Sequence, residues 1–132
     1  MASELKVDKF TGVTTAGSIL VTGEGGSTTT NLQQGLSKCW CSTEGDLITA
    51  NIQDSFNSTS VTDGGTGIIT INFTNNMSAG TYAPHCNGIN GDHLIASAGN
   101  VVSASCKFGH YTQGNAVVDT PYGSYSMLGD LA

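Results

Sequence analysis

The residues best suited to chemistry in this chain are four cysteines and three histidines. They are Cys39, Cys41, Cys86 and Cys106, with His85, His93 and His110. Thiolate and imidazole bind zinc, and a thiol beside an imidazole makes a nucleophile and its base. The spacings argue against both uses. Cys39-Trp40-Cys41 has one intervening residue, where zinc and thioredoxin-type sites use two. On a strand, C-x-C sets both thiols on one face about 7 Å apart, too far for an unstrained disulfide. Cys39 and Cys41 therefore read as small packing residues, since a free cysteine behaves as a buried hydrophobe. His85-Cys86, Asp92-His93, Cys106 and His110 supply ligand types, but no pair has H-x₃₋₅-H or C-x₂₋₄-C spacing. Serine is abundant, yet no G-x-S-x-G elbow occurs. Asp54, Asp63, Asp92 and Asp119 are carboxylates that a glycan hydrolase could pair. Asp54 and Asp63 lie in or beside a turn-rich run, where Asp more often bonds the local backbone. No catalytic residue, metal or cofactor is expected.

Recognition without catalysis is the other chemistry available. Tyr111, Tyr122 and Tyr125 sit in turn-rich sequence, as do Tyr82, Asn87 and Asn90. Aromatic faces with amide neighbours suit a sugar ring, so Tyr111, Tyr122 and Tyr125 are the expected glycan contacts. The competing expectation is that these tyrosines anchor loops or subunit interfaces.

Composition bounds the rest. The chain has 132 residues, 18 of them glycine, with 7% aromatic and 11% charged residues. It contains no arginine and has a formal net charge of −6. Counterion release by Lys and Arg drives nucleic-acid binding, so no nucleic-acid partner is expected. An anionic membrane surface is disfavoured for the same reason. No transmembrane or secretory run is visible, so synthesis in a cytoplasm and no membrane insertion are expected. Low charge, two prolines and many Thr, Val and Ile residues favour ordered strands over disorder.

The strongest local pattern is Ile52 to Met77. Asp63-Gly64-Gly65-Thr66-Gly67 is dense in residues that accept positive φ, as hairpin turns require. Beyond it, Ile69, Ile71 and Phe73 alternate with Thr70, Asn72 and Thr74, the period of a half-buried strand. Before it, Ile52 to Val61 reads as one looser, bulged strand. Further strands are expected near Leu47–Ala50, at Val101–Phe108 and at Ala116–Asp119, with an edge strand from Tyr82 limited by Pro84. The apolar end, Tyr122 to Leu131, is expected to pack against something. Leu32, Leu36, Cys39 and Trp40 fall at i, i+4, i+7 and i+8, which predicts a short helix over 28–40. Val7, Phe10, Val13, Ile19 and Val21 stud an N-terminal arm too poor in apolar side chains to fold alone. Glu24-Gly25-Gly26-Ser27 reads as its hinge.

The expected organisation is an attachment arm (1–27), a helical stem (28–40) and an all-β, sandwich-like antiparallel domain (41–132). With few large apolar residues, extra burial is expected from self-association. Leu32, Leu36 and Trp40 are the expected subunit interface.

Trp40, the run Asp54-Ser55-Phe56-Asn57-Ser58-Thr59-Ser60-Val61-Thr62-Asp63-Gly64-Gly65-Thr66-Gly67, the run Asn72-Phe73-Thr74-Asn75-Asn76-Met77, and Tyr82 together resemble a module of tail-fibre-like virion proteins from marine tailed phages. The resemblance covers about residues 5–82 and is most specific in the middle. It implies a non-enzymatic virion component, a homotrimer whose partners are its own copies, other virion proteins and, at the exposed end, a host surface glycan. The module commonly ends a longer chain, so two placements follow: a tail-fibre-like projection, or a capsid decoration or head-fibre protein. A separate glycan-binding module is the third reading.

Overall fold

The computed structural model describes residues 4–13, 19–23, 25–44, 51–89 and 94–131. The chain divides into two compact units, Met1–Leu36 and Ser37–Ala132.

In the first unit, β1 (Leu20–Thr22) pairs antiparallel with β2 (Thr29–Asn31), Val21 opposite Thr30. Gly23 N donates to Thr28 O, and Gly26 stands at φ 73°. The glycines expected as a hinge therefore form the hairpin turn, with Glu24 outside the described residues. The helix expected over 28–40 shrinks to one turn, α1 (Leu32–Gly35). The reason lies in its neighbours. Thr29–Asn31 joins a strand, and Ser37 begins another whose alternation overrides the helical spacing.

The second unit is all-β. Two four-stranded antiparallel sheets pack as a sandwich, in the orders β4-β3-β10-β7 and β5-β6-β9-β8. The strands are β3 (Ser37–Glu44), β4 (Asn51–Phe56), β5 (Ser58–Asp63), β6 (Ile68–Phe73), β7 (Ala83–Ile89), β8 (Leu94–Val102), β9 (Ser105–Thr112) and β10 (Tyr122–Leu128). The expected strand near Leu47–Ala50 lies outside the described residues.

Alternation builds the core. Ile69, Ile71 and Phe73 of β6 and Cys106, Phe108 and His110 of β9 point inward. Cys39, Cys41 and Thr43 of β3 and Tyr125 and Met127 of β10 meet them from the other sheet. Each fully buried Ile or Phe contributes about 1.5–3 kcal/mol by leaving water. Tyr122–Leu128, the apolar end that needed a partner, is a central strand between β3 and β7. β7, which carries Pro84, is an edge strand as expected.

Three strand expectations are corrected. Ile52 to Val61 is not one bulged strand but β4 and β5, which belong to different sheets. Asn57 makes the corner with φ 58°, a left-handed conformation that Asn tolerates better than most residues. Its Oδ1 accepts from Asn75 N at 2.7 Å, and its Nδ2 donates to the carbonyls of Lys38 and Asn75, both at 3.0 Å. Val101–Phe108 is likewise two strands, β8 and β9, around a Ser103-Ala104 turn. Backbone donors capture that turn: Phe73 N bonds Ala104 O and Met77 N bonds Ser103 O. The buried Tyr82 hydroxyl lies 3.0 Å from Val102 O and 2.8 Å from Ser105 O. Ala116–Asp119 forms a single bridge, Val117 to Tyr111, rather than a strand.

Asn57→Ala loses the side-chain bonds and keeps the unfavourable φ. Destabilisation of about 2–4 kcal/mol is expected from a shifted urea midpoint. Asn57→Gly, which relieves the φ strain, should cost less.

Candidate functional site

Burial decides what the cysteines can do. On β3, Cys39 and Cys41 share the inner face while Trp40 points out, as the C-x-C spacing requires. Burial, with Cys41 and Cys106 adding, pushes the Cys39 thiol up to about 12. Cys86, half-buried, is pushed up to about 11 by burial and by Cys106. Burial likewise raises Cys41 and Cys106, against hydrogen bonds from Ser58 and Tyr82 respectively. All four are free thiols that stay protonated near neutrality, and a thiol is a poor nucleophile and ligand. Among the described residues, no group of three or more His, Cys, Asp and Glu side chains is placed to hold a metal ion. Asp92 and His93 lie outside the described residues. Asp63 and Asp119 bond the hairpin turn, their Oδ1 atoms accepting from Gly65 N at 2.7 Å and Gly67 N at 2.6 Å.

His110 is fully buried, 3.1 Å from the Tyr125 hydroxyl through Nε2. Its Nδ1 makes no hydrogen bond among the described residues. Its backbone N donates to Gly67 O at 2.8 Å, and its carbonyl accepts from Val118 N at 3.1 Å. Gly67 closes this lock because a Cβ there would stand 2.8 Å from Val118 N and 2.9 Å from His110 O, at a φ of 66°. Burial holds the imidazole below its ordinary value, against the raising influence of Gly67 and Asp119. A neutral, buried ring that shares a proton with a tyrosine is a packing pair and lacks access to a substrate.

The expected glycan tyrosines are not brought together. Tyr125 is 3% exposed, because its position on β10 faces the core, so it is withdrawn as a surface contact. Tyr82 is buried as well. Tyr122 is 49% exposed on the outer face of the β4-β3-β10-β7 sheet. Tyr111 is half-buried on the outer face of the opposite sheet.

Each outer face carries a shallow cleft. One, about 250 Å³, is lined by His85, Cys86, Asn87, Ser124, Tyr125 and Ser126. Ser126 pairs with Trp40, and Trp40 with Phe56, so an aromatic pair 38% and 52% exposed continues this face. The other cleft, about 300 Å³, is lined by Ile68, Gly99, Asn100, Lys107, Gly109 and Tyr111, with Phe108 beneath. Phe56 and the Gly99-Asn100 pair were not legible as surface residues without the strand register.

Of the expected subunit-interface residues, Leu32 is half-buried, and Leu36 and Trp40 are exposed. In the arm, Val7, Phe10, Val13 and Val21 are exposed and Ile19 is half-buried. No helix among the described residues is long and apolar enough to cross a membrane. Comparison of the chain with family models, with curated proteins and with solved structures finds no match.

The buried imidazole gives stability a defined pH dependence. His110 titrates lower in the folded than in the unfolded chain, whose value is near 6.5. Below that pH the unfolded state binds more protons. His110's contribution is therefore complete above about 6.5 and is lost as pH falls towards the folded value. The urea midpoint should drop between pH 7.5 and 5.5, a window above carboxylate titration. His110→Gln should flatten that slope.

Proposed function

We propose that this chain is a non-enzymatic structural component of a phage virion, a tail-fibre-like element that associates with its own copies and projects towards the host surface. One observation carries the reading. The unit Met1–Leu36 leaves Leu5, Val7, Phe10, Val13, Leu20, Val21 and Leu36 exposed, while every buried apolar side chain described belongs to the sandwich. An apolar arm with no core of its own is stabilised by laying its strands and side chains on a partner chain. The likeness of about residues 5–82 to tail-fibre-like sequences supplies the class of partner. The Trp40–Phe56 pair of the sandwich and, separately, Leu32 and Leu36 of the first unit supply apolar surface for contacts between copies. In this reading residues 1–23 attach and the sandwich projects. A capsid decoration or head-fibre placement uses the same arm in the same way, and antibody labelling of intact particles separates the two.

Light scattering after size exclusion should give a mass about three times the 13.5 kDa of the chain, persisting on dilution. A variant lacking residues 1–23 should still trimerise but fail to enter particles. A monomer in the first experiment, or normal incorporation in the second, would count against the proposal.

A further inference from the structure

Residues 37–132 contain only two lysines, Lys38 and Lys107, and no arginine. Lys38 is 5% exposed at a bulge of β3. Lys107 is exposed on β9 and makes no ion pair among the described residues. The single solvent-facing ammonium of an acidic domain thus stands in the wall of the 300 Å³ cleft.

Three further features shape that cleft. The β8–β9 register passes from Ala98–Phe108 to Val101–Cys106, so Gly99 and Asn100 together oppose Lys107. This is a β-bulge, a device that re-aims side chains and is enriched beside functional sites. Gly99 leaves the lysine stem uncovered, since a Cβ there would lie 3.9 Å from Lys107 Cγ. Tyr111 lies down over Gly109, where a Cβ would stand 2.8 Å from Cε2 and 3.0 Å from Cζ of the ring. The glycine is what lets the ring rest on the strand and form a floor beside Ile68.

We infer that this cleft is a subsite for one carboxylated sugar unit, of the hexuronic acid type, within a surface polysaccharide. The sugar's C–H face would rest against the Tyr111 ring and Ile68. The Asn100 amide would bond ring hydroxyls, and Lys107 would pair with the carboxylate through a charge-assisted hydrogen bond. The volume lies at the small end of ligand sites and suits a single sugar unit. Charge complementarity selects this occupant. One lysine on a strongly acidic chain favours isolated carboxylates and opposes a dense polyanion such as nucleic acid or polyphosphate. The inference rests on the proposed surface-contacting role only for the source of the sugar.

The test titrates isotope-labelled full-length protein with a glucuronate-containing tetrasaccharide and, separately, with its glucose counterpart, following backbone amide shifts. Saturable shifts at Gly99, Asn100 and Gly109 are expected with the acidic ligand. They should weaken at least tenfold at high salt and in Lys107→Gln, an exposed change that leaves the fold intact. Gly99→Leu, which fills the cleft, should abolish them, and Tyr122→Ala on the opposite sheet should not alter them. Absence of saturable shifts at these amides with the acidic ligand overturns the inference. Equal binding of the neutral ligand, or full binding by Lys107→Gln, overturns the carboxylate assignment. Because particles play no part here, failure to bind leaves the virion reading standing. Failure of that reading in particle incorporation leaves a binding result intact.

Discussion

The sandwich depends on one bridge between its sheets. Phe108 of β9 and Tyr125 of β10 stand with ring centroids 4.9 Å apart, and the Tyr125 hydroxyl continues to His110. Ile69, Ile71, Phe73 and Met127 pack around it, and the small side chains of Cys39, Cys41 and Cys106 fill the rest of this part of the core. With so little apolar volume, spacing between the sheets is set by the few rings that cross it. Gly123 is part of the same bridge, since a Cβ there would run into the Tyr125 ring. The polar end of the bridge is then closed by Gly67, Val118 and Asp119, so the hairpin turn and the 113–121 crossing are fixed by the same histidine.

The hairpin, its turn and the inward triplet Ile69, Ile71 and Phe73 were readable from sequence, because alternation and φ-positive glycines are local signals. The pairing of Cys39 with Cys41 on one buried face followed from the same period. What was not readable depended on partners distant in the chain. Asn57 gives no local sign that it turns a corner between sheets, since its bonds go to Lys38 and Asn75. The Ser103-Ala104 turn is hidden inside a well-alternating run because the groups that hold it come from Phe73, Met77 and Tyr82. The helical stripe Leu32, Leu36, Cys39 and Trp40 was a true periodicity, overridden when Ser37–Glu44 found β10 and β4.

The cleft at Lys107 shows the same limit. Tyr111 could be singled out by type, and Lys107 and Gly109 share its face of β9 by alternation, but the bulge that brings Gly99 and Asn100 opposite Lys107 assembles only through the β8–β9 register. Tyr125, alike in sequence terms, faces the core because a step of one residue along a strand exchanges inside for outside.

The protonated state of the buried thiols bears on the chain's chemical lifetime. With burial pushing the Cys39 thiol up to about 12, almost none of it is thiolate at neutral pH. Alkylating reagents and peroxide act on thiolate, so attack on Cys39 must await opening of the sandwich. The same amino acids that make the core light thus serve as internal clocks of its breathing: their rate of modification reports how often the two sheets part.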